Sequence, residues 1–238
     1  MAKFWGIGVG PGDSELLTVK AVNAIKQLDV LYAPQAHRGG ASVAEKIAAP
    51  YLPTDLVIKR RHFPMVMDWA TKEASWQRIA KEIIADVKAG QEVGFLTLGD
   101  ASVYSTYSYI VALIKDEVAV ETIAGIASYS QIAASLSTPL MLDEESLAIV
   151  PATIEPTQLA RLIDDHDNVV IMKIATRFTQ VYELLAQRGL LTETIVVEKA
   201  SMEGQVVKTL NEYEPTAKLP YFTTAILKKS TKRHSKTN

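Results

Sequence analysis

Residues 92–115 read EVGFLTLGDASVYSTYSYIVALIK, and the fold class follows from the pattern they contain. After Glu92, the run begins with VGFLTL at residues 93–98, which is strongly apolar over the length of a buried strand. A glycine and an aspartate follow, and residues 103–115 then carry apolar side chains at helical spacing. A buried strand that leads through a short loop into a helix is half of a βαβ unit, so this stretch predicts a parallel sheet.

The same alternation fills the first half of the chain. Further strands are predicted over residues 3–9, 29–33, 56–60 and 118–124, with helices over 15–28, 42–52 and 74–90. The second half is predicted to hold helices over 127–137, 156–163 and 179–189 and strands over 146–150, 168–174, 194–199, 204–210 and 221–227. The later strands are separated by short turns instead of helices, which favours a mixed sheet. We therefore expect two α/β domains, residues 1–124 with a mainly parallel sheet and residues 125–238 with a mixed sheet, and an active site in the cleft between them.

Composition excludes several classes of function. The 238 residues are 48% apolar, which is enough for a substantial core, and they contain no cysteine, so disulfides, thiolate metal sites and a cysteine nucleophile are ruled out. A net charge of -2 gives no argument for nucleic acid or an anionic membrane as a partner. We see no signal peptide, membrane span or metal-ligand spacing of histidines, and we expect a cytoplasmic protein without a metal site.

A glycine-rich loop, GIGVGPGD over residues 6–13, lies between the first strand and the first helix. Such loops often bind phosphate through backbone N–H groups, but the dinucleotide pattern G-x-G-x-x-G is not met, because Pro11 or Asp13 occupies the third glycine position. The alternative is a tight turn with Asp13 or Ser14 capping the helix. Spacing alone leaves both interpretations open.

Two more junctions of small residues follow predicted strands. In an open α/β sheet, ligands bind beyond the carboxyl ends of the strands, which is where Gly99 and Asp100 are expected. The alternative is a capped helix start whose tyrosines pack in the core. Residues 124–135, AGIASYSQIAAS, form the third junction, and close packing without a ligand explains them equally well.

A basic segment, KRRH at residues 59–62, follows a predicted strand, and His37 and Arg38 lie in another predicted loop. Solvated surface charge is the common explanation for such a segment. Both segments are nevertheless expected at the same edge of the sheet as the glycine loops, where they could meet an anionic ligand.

Taken together, the three junctions resemble the tetrapyrrole (corrin and porphyrin) methylase family. Its G-x-G-P-G-D motif is matched in full by residues 8–13. The FPM of residues 63–65 and the YSTYSY of residues 104–109 are similar to the branch that methylates carbon 20 of precorrin-2 or cobalt-factor II. One position departs from the family pattern, since Ala101 stands where G-D-P has its proline.

This resemblance implies a methyltransferase that uses S-adenosylmethionine and acts on carbon 20 of cobalt-factor II in cobalamin synthesis. The alternatives are metal-free precorrin-2 as the substrate, or an inactive tetrapyrrole-binding module. The resemblance also implies a homodimer. The residues it implies for the cofactor are Pro11, Leu98, Gly99, Asp100, Val103, Ala127, Ser128, Met172, Ala200 and Thr223. For the substrate we expect the basic residues Arg38, Arg60, Arg61 and Lys173 to meet carboxylates, with Asp13, Tyr104 and Tyr107 nearby. No catalytic base is assigned, and Asp13, Tyr104 and Tyr107 are the candidates.

Overall fold

The computed structural model describes residues 1–35, 41–63 and 68–229. The chain divides into two compact units, of which the first is Met1–Ala127 and the second begins at Ser128. The division follows Ala127, compared with residue 124 in the sequence-based prediction.

The first unit is built on a parallel sheet of five strands, in the order β3-β2-β4-β1-β5, and every pairing in it is parallel. The strands are β1 (Phe4–Gly8), β2 (Val30–Gln35), β3 (Val57–His62), β4 (Val93–Thr97) and β5 (Val120–Ile123). The helices are α1 (Val19–Ile25), α2 (Val43–Ala48), α3 (Trp69–Lys88) and α4 (Tyr107–Ile114).

Helices cover both faces of this sheet because its strands are apolar on both sides. Successive side chains of a strand point to opposite faces. Phe4 accordingly joins the core formed with α3 and α4, and the next residue, Trp5, joins the core formed with α1 and α2. Strands buried in this way leave their carboxyl ends as the part of the sheet that loops can shape for a ligand.

The second unit has a mixed sheet of five strands, in the order β6-β7-β10-β8-β9. Its elements are α5 (Ser128–Ser135), β6 (Leu147–Pro151), α6 (Pro156–Asp165), β7 (Asn168–Met172), α7 (Phe178–Ala186), β8 (Thr194–Glu198), β9 (Val206–Thr209) and β10 (Thr223–Lys228). Only β6 and β7 pair in parallel, whereas β10 runs antiparallel to both β7 and β8. The predicted fold class, one parallel and one mixed α/β unit, is confirmed.

Three boundaries differ from those predicted. Asp13 caps a 3-10 turn over Ser14–Leu16, and α1 starts later, at Val19, because the hydroxyl of Thr18 accepts a hydrogen bond from the amide of Ala21. Helix α4 begins at Tyr107 and not at residue 103, since residues before it form turns. The basic segment at residues 59–62, expected in a loop, continues strand β3 as far as His62.

None of the helices in the described ranges is long and apolar enough to cross a bilayer.

Candidate active site

Three loops meet at the carboxyl ends of β1, β4 and β5, and a glycine in each loop permits the contact. A Cβ atom added to Gly125 would lie 2.1 Å from the carbonyl oxygen of Gly99. One added to Gly8 would lie 2.5 Å from the amide nitrogen of Gly125. Real side chains do not approach backbone atoms this closely, so the three loops touch only because these positions lack side chains.

Backbone hydrogen bonds tie the first two loops together. The amide of Gly99 donates to the carbonyl of Gly10 over 2.8 Å, and the amide of Gly10 donates back to the carbonyl of Gly99 over 3.2 Å. Both residues have positive φ, +77° for Gly10 and +71° for Gly99, which is the region that glycine occupies without a steric penalty. A Cβ at Gly99 would meet only the carbonyl of Ile126, at 3.9 Å, so one side of this backbone is open.

Asp100 joins the second loop to the third. One of its carboxylate oxygens accepts a hydrogen bond from the amide of Gly125 over 2.9 Å. The other accepts from the amide of Ser102 over 2.7 Å and also from the hydroxyl of Ser102. Together with the Gly10–Gly99 pair, these bonds hold the three loops as one assembly.

Ala101 replaces the proline expected by family resemblance, and it is buried. Its side chain is 1% exposed and belongs to the core that α3 and α4 form with the sheet. The loop around it is held by the bonds of Gly99 and Asp100, which a proline ring does not provide. Hydrogen bonding thus supplies restraint where the family pattern has a fixed φ.

A small hydroxyl network sets the start of α4. The hydroxyls of Thr97 and Ser105 share a hydrogen bond of 2.7 Å, and the Ser105 hydroxyl also accepts from the amide of Tyr107 over 3.2 Å. Ser105 thereby satisfies an amide of the first helical turn, as capping side chains do. The expected helix start at residue 103 is wrong because this serine ends the turn and opens the helix.

Tyr107 lies in the core, which corrects its assignment to the substrate. It is 3% exposed, its ring stacks on Phe4 with the centroids 5.9 Å apart, and its hydroxyl shares a 2.6 Å hydrogen bond with Thr122. Burial raises the pKa of the Tyr107 hydroxyl. A Cβ on Gly6 would lie 1.9 Å from this ring, so the glycine in β1 makes room for the tyrosine.

Like Tyr109, Tyr104 is an exposed tyrosine of this segment. Its φ is +48°, an uncommon conformation for a bulky residue, and its side chain is 47% exposed. Backbone strain of this kind is often found at functional sites, where the surrounding structure maintains it. Leu98 and Val103 are half-buried beside it, Pro11 is buried in the first loop, and Asp13 is exposed.

In the second unit, three of the predicted cofactor residues lie at or just beyond the ends of three adjacent strands. Met172 ends β7, Thr223 begins β10, and Ala200 follows the end of β8, and the antiparallel register brings these strand ends together. The hydroxyl of Thr223 donates to the carbonyl of Pro220 over 2.6 Å. Lys173, directly after β7, has a φ of +57°. Ser128 starts α5, and Ala127 is the last residue of the first unit.

The predicted basic residues on β3 are engaged in ion pairs within the first unit. Arg60 pairs with the buried carboxylate of Glu45, and Arg61 pairs with Glu82 over 2.7 Å. The two arginines point to opposite faces of the sheet, as strand geometry requires. Arg38 lies outside the described residues. Within the described ranges no cluster of three or more His, Asp or Glu side chains could hold a metal ion.

Comparison with known proteins identifies the family. The family model described as tetrapyrrole (corrin/porphyrin) methylases matches residues 3–215. The chain belongs to the tetrapyrrole methylases.

The curated relatives of this methylase include enzymes of the resembled branch. The chain is 37% identical over 95% of its length to the cobalt-precorrin-2 C(20)-methyltransferase of Salmonella typhimurium, 96% of which is covered. It is 36% identical over 72% of its length to a probable cobalt-precorrin-2 C(20)-methyltransferase of Methanocaldococcus jannaschii, 72% of which is covered. It is 30% identical to the precorrin-2 C(20)-methyltransferase of a Sinorhizobium species, with 93% of each chain covered.

Solved structures share the fold of the methylase. A cobalt precorrin-4 methyltransferase superposes with a TM-score of 0.71 at 20% identity, and 95% of this chain and 94% of that chain are covered. The uroporphyrin-III C-methyl transferase of Thermus thermophilus, complexed with S-adenyl homocysteine, gives a TM-score of 0.67 at 22% identity over 95% of this chain and 92% of that chain. At these identities the similarity concerns the fold alone.

The residues of the glycine loops fit a sulfonium cofactor. The loops over residues 8–13, 97–103 and 123–127 carry two carboxylates, Asp13 and Asp100, and no lysine or arginine. A phosphate loop normally adds a cation to its backbone amides, whereas a positively charged sulfonium is favoured by neutral or acidic surroundings. The open backbone at Gly99 is compatible with close approach of a ligand.

Sequence reasoning missed the methylase residues that shape the site without being expected to touch a ligand. Gly8 and Gly125 bring the loops together, and Ser105 and Thr97 fix the helix start. Each of these glycines lies at the end of a strand or two residues beyond it, which was a usable signal. Nothing in the spacing of the serines and threonines distinguished Ser105 from its neighbours.

Proposed function

We propose that this chain is an S-adenosylmethionine-dependent methyltransferase that methylates carbon 20 of cobalt-factor II (cobalt-precorrin-2) in cobalamin synthesis. The observation that carries the proposal is the 37% identity, over nearly the full length of both chains, to an enzyme with this name. The meeting of three cation-free glycine loops at the end of a parallel sheet supports the choice of cofactor.

The proposed reaction asks little acid–base chemistry of the protein. The bond between the sulfonium sulfur and the methyl carbon breaks, and its electron pair remains on sulfur. A carbon–carbon bond forms between that methyl group and carbon 20, which then loses a proton. Holding the two reactants in line is the main task of the protein, and positioning of this kind can lower a barrier by about 7–11 kcal/mol.

The residues of the methylase have distinct proposed roles. For the cofactor we keep the three loops with Pro11, Leu98, Gly99, Val103 and Ala127, and in the second unit Ser128, Met172, Ala200 and Thr223. Tyr104 is proposed to stack on the macrocycle, because it is exposed beside the Gly99 loop. Lys173 and Arg61 are proposed to meet substrate carboxylates, and Asp13 remains a candidate to accept the proton.

The test offers the purified protein each macrocycle, with cobalt and without it, under anaerobic conditions and with S-adenosylmethionine labelled in the methyl group. We expect label on carbon 20 of the cobalt macrocycle, with a kcat/KM at least tenfold above that for the metal-free compound. Transfer to the metal-free macrocycle alone would instead favour precorrin-2 as the substrate. Binding of both ligands without any transfer would indicate an inactive binding module.

A homodimer in the cytoplasm completes the proposal. The resemblance to methylases supports the homodimer, the lack of cysteine fits a reducing cytoplasm, and two measurements test these statements. Light scattering coupled to size exclusion should give twice the chain mass of 26.1 kDa. Fractionation of the native host should recover the protein with the cytoplasmic enzymes, and recovery with membranes would contradict the proposal.

A further inference from the structure

We propose that Asp100 is a positioning residue, which acts on the cofactor through the backbone of Gly125 and not by a direct hydrogen bond. The inference rests on the proposed function and deepens it, because family resemblance alone assigns Asp100 to the cofactor without saying how it acts.

The contacts of Asp100 show a carboxylate already committed on both oxygens. One oxygen accepts from the amide of Gly125, and the other accepts from the amide and the hydroxyl of Ser102. These partners lie 25 residues and 2 residues away in the chain, so the side chain connects two loops that sequence does not connect. A charged acceptor makes such bonds about twice as strong as neutral ones.

The position of Gly125 depends on this contact. Its backbone fits between Gly99 and Gly8 with no room for a side chain, so no side chain of its own can anchor it. The two residues after it, Ile126 and Ala127, lead directly to Ser128, the first residue of α5. A shift at Gly125 therefore moves Ala127 and Ser128, both of which are expected to line the cofactor.

The substitution Asp100→Asn separates the two possible roles. An asparagine side chain has one acceptor oxygen and one NH2 group, so it can accept at the Ser102 side or at the Gly125 side but not at both. The NH2 group then faces an N–H donor. In the other orientation Gly125 keeps an acceptor, but a neutral one, so the loop contact is weakened or lost while side-chain volume and the fold of the surrounding core are retained.

A double-mutant cycle between protein and ligand provides the test. Affinities of wild type and Asp100→Asn are measured by calorimetry for S-adenosylhomocysteine and for its 2'-deoxy, 3'-deoxy and desamino analogues. If Asp100 acts through Gly125, the substitution lowers affinity about tenfold for all four ligands, because groups that do not touch give additive effects. A direct hydrogen bond would make the loss vanish for the one analogue that lacks the bonded group, and this result would overturn the proposal.

Asp68→Asn is the matched control. Asp68 caps α3 with the same pair of contacts, accepting from the amide of Thr71 over 2.9 Å and from the Thr71 hydroxyl. We expect it to lower thermal stability as Asp100→Asn does and to keep the affinity for S-adenosylhomocysteine within twofold of wild type. Should Asp100→Asn also keep that affinity, Asp100 serves only stability and the positioning role is wrong.

Two further readouts complete the design. Amide exchange at Gly125, followed by NMR, should be faster in Asp100→Asn, and Ser102→Ala, which removes only the hydroxyl contact, should give a smaller loss of affinity than Asp100→Asn. If Asp100→Asn is folded and the amide exchange rate of Gly125 equals that of wild type, the proposal is contradicted. Failure of the wild-type protein to bind S-adenosylhomocysteine would overturn the proposed function, and the positioning role with it. If wild type binds, but Asp100→Asn loses affinity for some of the four ligands and not for the others, only the positioning role is overturned.

Discussion

Three tyrosines within six residues have three different environments. Tyr104 is exposed with a positive φ, Tyr107 is buried above Gly6, and Tyr109 stacks on Trp76 of α3 with the ring centroids 4.4 Å apart. The sequence YSTYSY predicts a polar and aromatic surface, but it does not predict which tyrosine is buried. That depends on where α4 starts, and the start depends on the hydroxyl of Ser105. Tyr104 and Tyr109 keep 47% and 46% of their side chains exposed, and Tyr104, in the loop before α4, is the one proposed to stack on a large planar ligand.

Tyr104→Ala should raise the KM for the macrocycle about twofold to tenfold, which is the effect of an aromatic contact of about 0.5–1.5 kcal/mol. Tyr104→Phe keeps the ring and should stay near the wild-type KM, which makes it the matched control. Steady-state kinetics with the macrocycle varied checks both, and calorimetry should find the affinity for S-adenosylhomocysteine unchanged. A wild-type KM for Tyr104→Ala would exclude stacking at this residue.

Tyr107→Phe should act on stability and leave the macrocycle KM unchanged. It removes the hydrogen bond to Thr122, so we expect the free energy of unfolding to fall by about 0.5–1.5 kcal/mol at neutral pH. Because burial raises the pKa of Tyr107 in the folded state, its stabilising effect is complete below about pH 10, where the unfolded chain ionises, and declines as the pH rises further. Urea unfolding at pH 7 and above pH 10 should show the difference between wild type and variant shrinking, and a growing difference would contradict this sign.

At the scale of elements, the hydrophobic pattern was a good predictor of the positions of the strands and a poorer predictor of the directions of polar side chains. All ten strands of the described residues overlap predicted ones, because most of them are apolar runs bounded by turn residues. The order of the second sheet was beyond the pattern: β10 lies between β7 and β8, and such a non-local pairing leaves no mark in local spacing. In the site, the convergence of the glycine loops follows from the parallel sheet, whereas the Asp100–Gly125 bond does not.

Strand β3 gives its two arginines different energetic roles. The partner of Arg60, Glu45, is buried with its side chain 6% exposed, whereas Arg61 and Glu82 are about one third exposed. Arg60→Ala leaves a buried carboxylate unpaired, which is strongly destabilising, and Arg61→Ala loses a surface pair of about 0–1 kcal/mol. Chemical denaturation should therefore rank Arg60→Ala well below Arg61→Ala in stability.

Glu45→Gln combined with Arg60→Ala is the control for this ranking, since it removes the unpaired charge and should recover part of the loss. The substrate role is tested separately on Arg61→Ala, whose fold is expected to be intact. We expect this variant to raise the macrocycle KM and to weaken its dependence on salt. Wild-type kinetics at low and high salt would assign Arg61 to surface charge.

At the scale of the whole molecule, the two units divide the predicted cofactor residues between them. The first unit holds loops that are fixed by backbone and carboxylate hydrogen bonds, and the second holds Met172, Ala200 and Thr223 at neighbouring strand ends of its sheet. Neither set contains an arrangement of metal ligands among the residues described, and the proposed reaction uses cobalt only as part of the substrate.

S-adenosylhomocysteine should therefore stabilise the protein without any metal. A ligand at 100 times its dissociation constant adds about 2.7 kcal/mol to the free energy of unfolding, since it binds the folded chain and not the unfolded one. For a chain of this size, that corresponds to a rise in Tm of about 5–10 °C. Scanning calorimetry on protein dialysed against EDTA measures this shift, with adenosine alone as the comparison ligand and a smaller shift expected for it. A Tm that rises only after cobalt or magnesium is restored would mean that a metal completes the cofactor site, and the glycine loops would then not suffice to bind the cofactor.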